Sequence, residues 1–574
     1  MKTSANIFLV SLLAVSSTGC GGGGDSDFPY QAPGTSPSIS NLEISQTSAV
    51  HNAGDGRIDI EISVDFIDQE GDVNHMSVNV LDGSGAILYV VGSSLSLGGS
   101  TSGTASGTVQ IVTDTLGDFT LRVWLVDETV RASNKLDAQF SITASAAQST
   151  WYKDADRDGY SDGVTVLAAE RPAGHYLDDE LTATKGDCDD SDNSVHPGGT
   201  EIDADGVDQD CNGFEISGPP ELVFDWSSDR CEDLDIPDLP ARAFRDKDGQ
   251  VQLISSHANT RRFVGPDLDN VVRDCTIVMT SHFDPNPSMF NDVEWIGAIY
   301  TEDGNTIYAI VHNEFEGWTH PGYCSRSYWT ADCWYNGLTL AVSTDGGLSY
   351  GHPVSPPDHL IAASSIQYEI DRGPDGIFHP SSILRGPDGY YYAMVHRVRQ
   401  TDANPWHACL MRTPDLANPD AWRFWDGAGY EGEFINPYTD AVSNPDNHDC
   451  SPIDRDAIWD MTQSLTYNEY LGRYVLTGSA TSIDGTTHGF FVSFSEDMID
   501  WTPRELLLER ALPWTVQNAN EPHYLYPSLL DPESTARSFD KVAETAYLYY
   551  TRNNRAPGDL DRDMLRAPVT FFRH

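Results

Sequence analysis

The feature that most constrains the fold of this 574-residue chain is a loose repeat in residues 221–574. Each repeat begins with an apolar strand, a polar turn and a second apolar strand. The five strand pairs are Ala241–Phe244 with Val251–Ile254, Ile296–Tyr300 with Ile307–Val311, Pro380–Leu384 with Tyr391–Val395, Ser464–Tyr467 with Tyr474–Leu476, and Pro527–Leu530 with Ala546–Tyr550. Strand-rich units at intervals of roughly 50–90 residues are typical of propeller blades, because one blade cannot bury its own faces. The repeat therefore predicts an all-β fold with a five-bladed β-propeller, and a two-sheet sandwich is the alternative.

Two further features concern how the blades are built. The segment Leu222-Val-Phe224 is positioned to supply the outer strand that closes the ring on the last blade. The stretch from Ser343 to Tyr350, Ser-Thr-Asp-Gly-Gly-Leu-Ser-Tyr, resembles the Asp-box of sialidase-like propellers, and looser versions occur at Ser495–Trp501 and Thr413–Trp422. In an Asp-box turn the carboxylate accepts backbone N–H groups, so we expect these motifs to be structural and not catalytic.

A second resemblance lies in the first strands of the repeats. The segments Pro380-Ser-Ser-Ile383 and Pro527-Ser-Leu-Leu530, with Gly389-Tyr-Tyr-Tyr392, resemble the inner blade strands of the five-bladed glycosidases, the furanosidase and phosphorylase-like group. These motifs are short and spread over residues 221–574. The resemblance implies a propeller over this range and, more weakly, an activity on glycans.

Residues 37–146 have a different pattern. Apolar and polar residues alternate with a period of two in Ile58–Phe66 and Phe119–Val126, and turn clusters such as Asp82-Gly-Ser-Gly85 separate the segments. Period-two alternation with frequent turns is typical of antiparallel sheets packed face to face. We therefore predict an immunoglobulin-like β-sandwich that acts as a spacer or binding module.

The N-terminus indicates export. An apolar run from Ile7 to Val15 follows Lys2; it is too short to span a membrane and fits a cleaved signal peptide over residues 1–20. Ser17-Thr18-Gly19-Cys20 resembles the lipobox of bacterial lipoproteins, which implies a lipid on Cys20 and a cell-surface or outer-membrane location; a plain secretion signal is the alternative. Residues 21–36 are rich in Gly and Pro and predict a flexible tether.

Charge and cysteine content agree with export. The formal net charge is −53, which argues against nucleic acid and against an anionic membrane surface as partners. No later apolar stretch approaches the length of a transmembrane helix, so the N-terminal lipid is the only membrane anchor that we expect. Of nine cysteines, eight remain beside Cys20, and all eight can pair in an oxidising compartment. The pairing is not readable from the sequence; Cys188 with Cys211 and Cys324 with Cys333 are the local possibilities.

Residues 151–215 form an acidic segment with 18 acidic and 4 basic residues and almost no apolar periodicity. Between Asp154 and Asp162 an oxygen-bearing side chain occurs at every second residue around Gly159, a spacing that wraps a short loop about a hard cation. An EF-hand would need a Glu where Thr165 stands. Hard carboxylates without a His or Met cluster favour calcium.

This acidic segment resembles the MopE-like metal-binding repeat of secreted bacterial proteins, which is itself similar to thrombospondin type 3 loops. The resemblance covers Trp151–Tyr160, Gly186–Asp190, Pro197-Gly198 and Asp205–Gly213, with Ile202 where many members have a further cysteine. The predicted calcium ligands are Asp154, Asp156, Asp158, Tyr160, Asp162, Asp187, Asp189, Asp190, Asp192, Asp203, Asp205, Asp208, Asp210 and Asn212.

Propeller geometry predicts a functional site, because the start of each inner strand and the end of the next strand lie near the axis on one face. This rule collects the possible substrate-binding residues Arg242, His257, Arg261, His312, Asn313, His379, His396, Arg397, His523, Tyr526 and Arg552. Glu314 is the candidate general acid, since a carboxylic acid at a strand end can protonate a leaving oxygen. Asp460 is the candidate base or nucleophile, with Glu294 as its competitor.

These residues favour an extracellular glycoside hydrolase that acts on an anionic glycan, because the site collects His and Arg in an acidic protein. A polysaccharide lyase is the second possibility, with Tyr526 or a histidine as base and Arg242 neutralising a uronate. A non-catalytic glycan-binding or adhesion lipoprotein is the third. The sequence does not identify the glycan or the oligomeric state.

Overall fold

The structure is a computed structural model that describes residues 34–50, 57–112, 116–143, 148–202, 205–441, 443–516, 521–555 and 559–573. The predicted signal peptide with Cys20, most of the predicted tether and Asp203 lie outside these residues. The chain divides into two compact units, Met1–Asn193 and Ser194–His574. No helix in the described ranges is long and apolar enough to cross a membrane.

Both units are nearly all β, as the sequence predicts. The α-helices found in the described parts are single turns, α1 (Trp226–Asp229) and α2 (Arg455–Ile458). Short 3₁₀ turns lie at Asp178–Glu180, Leu268–Asn270, Pro287–Met289, Gly317–Thr319, Ala331–Cys333, Pro419–Ala421 and Pro445–His448.

The first unit contains eleven described strands. They are β1 (Ser38–Ile44), β2 (Ser48–Val50), β3 (Arg57–Ile67), β4 (Val73–Leu81), β5 (Ile87–Ser94), β6 (Ser102–Val112), β7 (Gly117–Asp127), β8 (Leu136–Thr143), β9 (Ser149–Lys153), β10 (Thr165–Ala168) and β11 (His175–Tyr176). The sheet orders are β1-β3-β6, β2-β8-β7-β4-β5 and β10-β9-β11. Only the β2–β8 pair among these is parallel.

The two larger sheets of the first unit share one apolar core. Strand β3 buries Ile60, Ile62, Val64 and Phe66 at every second position, and Leu121, Val123 and Leu125 of β7 belong to the same cluster. This alternation arises because successive side chains of a strand point to opposite faces. The predicted two-sheet arrangement is therefore present.

The second unit contains the remaining strands. They are β12 (Phe214–Ile216), β13 (Glu221–Phe224), β14 (Arg242–Arg245), β15 (Val251–Ile254), β16 (Asn259–Gly265), β17 (Val272–Thr280), β18 (Val293–Tyr300), β19 (Ile307–Glu316), β20 (Trp334–Ser343), β21 (Leu360–Ala363), β22 (Asp375–Pro380), β23 (Leu384–Arg385), β24 (Tyr391–Arg399), β25 (Trp406–Thr413), β26 (Arg423–Phe424), β27 (Ser464–Asn468), β28 (Arg473–Thr481), β29 (His488–Ser495), β30 (Glu505–Glu509), β31 (His523–Leu530), β32 (Lys541–Val542), β33 (Thr545–Asn553) and β34 (Arg562–Phe571).

These strands form five antiparallel groups. The orders are β14-β15-β16-β17, β18-β19-β20-β21, β22-β24-β25-β26 and β27-β28-β29-β30, and the fifth group is β31-β33-β34 with β12 and β13 against β34. A short parallel contact between β20 and β22 joins the second group to the third. The pairing of Leu222 with Leu565 confirms that Leu222-Val-Phe224 adds a strand to the last group.

Apolar clusters lie between consecutive groups. One cluster joins the first group to the second, and others join the second to the third, the third to the fourth and the fourth to the fifth. A further cluster contains Leu253 and Phe263 of the first group with Leu530 and Tyr549 of the fifth. Each group thus buries both of its faces against neighbouring groups, which a single four-stranded sheet cannot do alone.

The first strands of all five groups meet at Arg242. Its guanidinium donates to the carbonyl oxygens of Gly297 (3.0 Å), Pro380 (3.0 Å) and Gln463 (2.6 Å), which belong to the second, third and fourth groups. The Ser528 hydroxyl of the fifth group donates to the Ala241 carbonyl beside it, at 3.0 Å. Arg242 is buried, and burial lowers its pKa to about 9.

Disulfides follow the cysteine count. The second unit contains Cys231–Cys275, Cys324–Cys333 and Cys409–Cys450. Cys188 and Cys211 are also disulfide-bonded. All eight cysteines beside Cys20 are therefore oxidised, and the predicted Cys324–Cys333 pair is confirmed; such a set fits an oxidising, extracytoplasmic compartment.

Candidate functional site

The acidic segment begins as a tight loop directly after β9. The Asp154 carboxylate accepts hydrogen bonds from the backbone N–H groups of Arg157 (2.6 Å) and Gly159 (3.3 Å). Asp156 accepts from the N–H of Asp158, and Asp158 from that of Tyr160. These Asx-type turns curl the backbone, and Gly159 provides the left-handed conformation (φ 95°) that the curl requires.

Three carboxylates converge within this loop. One oxygen from each of Asp156, Asp158 and Asp187 lies within 4.8 Å of the others. The Oδ2 atoms of all three are buried and have no hydrogen-bond partner in the described chain. Burial, followed by the nearby carboxylates, raises the pKa of Asp187 to about 6. A cation bound between these oxygens would supply the missing partner.

A neighbouring trio shares Asp156. Asp154, Asp156 and Asp190 also bring carboxylate oxygens within 4.8 Å of one another. Lys153 forms ion pairs with Asp190 and with Asp162 (2.8 Å). Since Lys153 already neutralises part of this charge, the Asp156–Asp158–Asp187 trio is the stronger cation candidate.

The other predicted ligands of this half serve local contacts. Asp189 accepts from the Ser191 hydroxyl at 2.6 Å. Asp192 donates its backbone N–H to the Asp189 carbonyl, and Tyr160 donates its own N–H to Asp158. Their role as ligands stays a prediction.

The part of the acidic segment that lies in the second unit forms another cluster of carboxyl side chains. Asp208 is buried and accepts from the N–H groups of Asn212 (3.0 Å) and Gly213 (2.8 Å). Burial, followed by Glu201 and Asp208, raises the pKa of Asp210 to about 7. Asp205 accepts from the Gln209 side chain at 2.7 Å. The arrangement places Asp208, Asp210 and Glu201 together.

Glu201 is a residue that the sequence reasoning missed. Its Oε1 accepts from the Asp210 N–H at 2.7 Å, while its Oε2 is buried without a partner in the described chain. The signal in the sequence was its position beside Ile202, where the resembled motif departs from its usual cysteine.

A buried carboxyl group lies at the end of strand β19. The Glu314 side chain is 11% exposed, and its Oε1 lies 2.8 Å from Nε2 of His312. Burial, followed by the Asp238 charge, raises the pKa of Glu314 well above its ordinary value; the side chains of Trp334 and Asn336 oppose this shift. Burial lowers the pKa of His312 to about 3. The pair is therefore uncharged at neutral pH, with the proton on Glu314.

Asp238 faces this pair from the segment before β14. Its carboxylate forms an ion pair with Arg562 and accepts a hydrogen bond from the Tyr526 hydroxyl at 3.2 Å. Nε2 of His257 lies 3.5 Å from its other oxygen. Tyr526 has a left-handed backbone (φ 58°), and the register of β31 shifts beside it, a bulge that re-aims a side chain. Two carboxyl groups in different environments thus occupy one site.

Stacked rings extend this site. The His379 ring is nearly parallel to His312, with centroids 5.5 Å apart, and to His396, 6.1 Å apart. The Trp295 ring lies 4.6 Å from His257 and 5.1 Å from His312. Burial lowers the pKa of His379 and of His396 to about 3, so these rings are neutral. The site is therefore lined with neutral aromatic surface.

The other two predicted carboxyl groups lie elsewhere. Burial raises the pKa of Asp460 to about 7, and its principal electrostatic neighbours are Arg455, Trp459 and Arg504. None of these is a principal neighbour of Glu314. Glu294 contacts His282 and His352 on its two oxygens. Among the described residues, neither the Asp460 nor the Glu294 side chain contacts the Glu314 carboxyl.

The predicted arginines are already bound within the chain. Arg242 binds backbone carbonyls, and Arg261 binds Glu232 (2.7 Å) and the Cys275 carbonyl. Arg397 binds Asp449 and Asp402, and Arg552 binds Asp563. Their intramolecular partners lend no support to an anionic substrate, which stays a prediction.

The remaining predicted binding residues are also placed. The Asn313 side chain accepts from the Asp292 N–H at 2.9 Å, and His523 contacts the Asn553 amide at 2.7 Å. Both are buried. The Asn313 contact ties β19 to the residue before β18, and the His523 contact ties the start of β31 to the end of β33.

Asp238 and Arg562 were missed by the sequence reasoning. Asp238 stands in Ile-Pro-Asp-Leu-Pro directly before the first inner strand, near the face where the axial rule applies, but the repeat pattern begins only at Ala241. Arg562 begins the last strand, β34, whose start was not identified from the sequence. Both residues lie outside the five strand pairs that define the repeat.

A separate cavity lies at other strand ends. Its volume is about 680 Å³, and its lining includes Tyr300, Arg385, Glu469 and Lys541. The charged groups there are paired, Lys541 with Glu469 at 2.7 Å and Arg385 with Glu302 at 2.9 Å. The lining also includes Asp540, a buried carboxyl whose pKa is raised by burial and by the nearby Glu302 charge. Asp540 already accepts a hydrogen bond from the Arg385 N–H at 3.4 Å and adjoins Lys541, so the cavity is a weaker candidate for catalysis.

Comparison with known proteins identifies the metal-binding motif. A family model described as a putative metal-binding motif, Cu-binding MopE, matches residues 187–215. This confirms the predicted MopE-like resemblance over the second part of the acidic segment. No curated protein matches the chain.

Solved structures match short parts of the chain. A β-glucuronidase of Bifidobacterium dentium, solved with coumarin-3-O-glucuronide, is 14% identical over 23% of this chain and 20% of that chain, with a TM-score of 0.15. A β-glucuronidase from Ruminococcus gnavus with D-glucuronic acid is 11% identical over 24% and 18%, with a TM-score of 0.10. The CARDB domain of a Pyrococcus furiosus protein with di-metal ions is 12% identical over 21% and 100%, with a TM-score of 0.13. The chain thus spans about a fifth of each glucuronidase, and these similarities carry no argument about function.

Proposed function

We propose that the second unit closes as a five-bladed propeller and acts as a glycoside hydrolase on extracellular glycans. The observation that carries the proposal is the protonated carboxyl of Glu314 in the same side-chain cluster as the ion-paired carboxylate of Asp238. The Trp295 ring contacts both His257, which adjoins Asp238, and His312, which adjoins Glu314. Glycoside hydrolysis uses two such carboxyl groups, one as acid and one in its ionised form. The cyclic series of apolar clusters and the convergence of five strand groups on Arg242 support the closed ring.

Glu314 would act as the general acid. Its raised pKa keeps the proton available at neutral pH, and transfer to the glycosidic oxygen lowers the barrier to bond cleavage. His312 receives the Glu314 hydrogen bond and fixes the carboxyl orientation. Asp238, held by Arg562 and Tyr526, would act from the other side of the bond as base or nucleophile. Trp295 and His312 are buried, whereas His379, His396 and Tyr526 are partly exposed and supply the rings on which a sugar face can pack.

A hydrolase is better supported than a lyase. Burial, followed by Asp238, raises the pKa of Tyr526 well above its ordinary value, which disfavours the phenolate that a base requires. The donors of Arg242 serve backbone carbonyls and not a uronate. A non-catalytic glycan-binding domain uses the same ring surface and is separated from the hydrolase by its products.

The test compares the wild type with Glu314→Gln, Asp238→Asn and Asp460→Asn on soluble polysaccharides and aryl glycosides. New reducing ends should form with the wild type and with Asp460→Asn, and the other two variants should be slower by about 10²-fold or more. Ultraviolet-absorbing products from the wild type would instead indicate a lyase. Binding to a glycan array without any product would indicate a binding module, and undiminished turnover by Glu314→Gln would remove it as the acid.

The acidic segment is proposed to bind calcium. Its candidate ligands are carboxylate oxygens, which suit a hard cation. Chelation followed by return of Ca²⁺ or Cu²⁺, with thermal unfolding measured by circular dichroism, tests the choice. Calcium at 100 times its Kd should stabilise the folded chain by about 2.7 kcal/mol. Equal stabilisation by Cu²⁺ would contradict it. Hydrolysis should persist without calcium, because neither Glu314 nor Asp238 belongs to the carboxylate groups of the acidic segment.

The proposal includes surface attachment through a lipid on Cys20, with residues 37–146 as an immunoglobulin-like spacer. Paired sheets with a shared core support the spacer, and the disulfides support export. Mass spectrometry of the N-terminal peptide from membrane fractions tests the anchor. Release of a Cys20→Ser variant into the medium is expected, and equal retention of both forms would contradict it.

A further inference from the structure

Three metal-ligating side chains meet at a point apart from the carboxyl pair of Glu314 and Asp238. His282 follows β17 of the first strand group, Glu294 lies on β18 of the second group, and His352 follows β20. Nδ1 of His282 lies 2.7 Å from Oε2 of Glu294, and Nε2 of His352 lies 2.8 Å from Oε1. All three donor atoms lie within 4.8 Å of one another.

The orientation of His352 determines which ring nitrogen faces Glu294. Its Nδ1 lies 2.7 Å from the Leu340 carbonyl oxygen, which can only accept, so Nδ1 carries a proton. The neutral ring then has its lone pair on Nε2, and this lone pair points at the carboxylate oxygen of Glu294. Nε2 of His352 and Oε1 of Glu294, 2.8 Å apart, would repel each other unless a proton or a metal ion lies between them. Metal-bound histidines have this arrangement, with the second ring nitrogen donating to a backbone carbonyl.

The ligands are held in place before any ion binds. The Glu294 side chain is 0% exposed and that of His352 is 7% exposed, whereas His282 is 54% exposed. The His359 ring packs edge-on against His352, with centroids 4.2 Å apart, and fixes its plane. A cavity of about 380 Å³, lined by His282, Tyr350 and His352 among others, opens beside them. Two ligands are thus rigid, and the third stands at an entrance wide enough for an ion and its water.

The donor set selects the class of ion. Two imidazole nitrogens and one carboxylate suit borderline divalent metals, as in catalytic zinc sites with two His and one Glu and in two-His-one-carboxylate iron sites. Zinc bonds of about 2.0–2.1 Å place tetrahedral donors about 3.3 Å apart, so each nitrogen–oxygen contact would open by roughly half an ångström. The two carboxylate trios of the acidic segment contain oxygen ligands alone and differ in this respect.

We propose that His282, Glu294 and His352 bind one divalent transition-metal ion, with zinc as the reference occupant, and that coordination positions remain for water or another ligand. The ion would join the end of β17 to β18 and to the segment after β20. It would therefore cross-link the first and second strand groups. Glu294 becomes a metal ligand in this assignment, not a catalytic carboxylate.

The test measures Zn²⁺ binding to the full-length, chelator-treated protein by isothermal titration calorimetry, with saturating Ca²⁺ present to occupy the acidic segment. One zinc site is expected, and His282→Ala and His352→Ala should each weaken it by about tenfold or more. His320→Ala is the matched control, because His320 and Asp292 form a histidine–carboxylate pair of similar length, 2.7 Å, that does not include His282, Glu294 or His352. This control should bind zinc as the wild type does.

Thermal unfolding and Co²⁺ absorption spectra distinguish loss of the metal site from loss of the fold. His282 is exposed, so its replacement leaves the core intact, and the thermal unfolding of that variant without metal should match the wild type. Co²⁺ should give visible absorption bands with the wild type and with His320→Ala, but not with His282→Ala. Zinc affinity and cobalt spectra that are the same in the wild type and in His282→Ala would overturn the proposal. Absence of any zinc site in the wild type would also overturn the proposal. The cluster would then be held by a proton shared between the histidines and Glu294, and not by a metal ion.

Discussion

Replacing Glu314 with Gln should change the pH dependence of stability by one proton. Glu314 keeps its proton in the folded protein, whereas in the unfolded chain its pKa returns to about 4.3. A carboxyl whose pKa is raised on folding stabilises the protein fully below its unfolded pKa, and this contribution falls as the pH rises towards the folded pKa. The wild type should therefore lose stability relative to Glu314→Gln with rising pH.

The magnitude follows from the linkage slope. Each pH unit between the two pKa values corresponds to about 1.36 kcal/mol, so between pH 5 and pH 7 the variant should gain about 2.7 kcal/mol on the wild type. His312→Asn provides a companion of opposite sign. The pKa of His312 falls to about 3 on folding, so the wild type should lose about 2 kcal/mol relative to this variant between pH 6.5 and pH 5.

Urea unfolding at a series of pH values, followed by tryptophan fluorescence with saturating calcium, measures both differences. Of the 13 tryptophans only Trp124 and Trp151 lie in the first unit, so the signal reports mainly the second. A difference between the wild type and Glu314→Gln that stays constant from pH 5 to pH 7 would refute the reasoning. Glu314 would then be ionised in the folded protein and unable to act as an acid, whatever the substrate.

Three other substitutions test the fold. Arg242→Met should cost at least about 3 kcal/mol in the free energy of unfolding, because it leaves buried carbonyls unpaired; a loss below 1 kcal/mol in urea unfolding would contradict this. Serine replacement of the Cys231–Cys275 bridge, which spans 44 residues, should cost about 4 kcal/mol, against about 2.6 kcal/mol for the nine-residue Cys324–Cys333 bridge; the reverse order in calorimetry would refute the loop argument. Asp345→Ala should cost about 1–2 kcal/mol and leave turnover unchanged, since this carboxylate accepts only turn hydrogen bonds; lost turnover in a folded variant would contradict a structural role.

The strand pattern was readable from the sequence because burial follows local periodicity. The alternation in Ile58–Phe66 predicts the buried face of β3, and the strand–turn–strand repeat predicts the inner pairs of the second unit. The motif that includes Asp187 and Asp210 was also readable, because its ligands are close in sequence. Such patterns depend only on residues that are close in sequence, so contacts with the rest of the chain do not alter them.

The functional site was only partly readable because its contacts are long-range. The pairing of Asp238 with Arg562 joins residues 324 positions apart. No local pattern predicts that Arg242 binds backbone carbonyls instead of a substrate. Glu294 and Asp460 satisfied the same positional rule as Glu314, and only the three-dimensional neighbours of each side chain distinguish them. Type and position along a strand therefore identify candidates, but not their partners.

The pairing of β13 with β34 has a consequence for the order of events during synthesis. Arg566 binds Glu221 at 2.8 Å across 345 residues, so the first segment of the second unit gains its partner only after nearly the whole chain has been made. Until then the last strand group and the face of the first group that packs on it are incomplete, with apolar surface exposed. A chain made from its N-terminus must keep this surface away from its neighbours until the last segment arrives. We therefore expect folding intermediates of the second unit to aggregate more readily than its final stability would suggest.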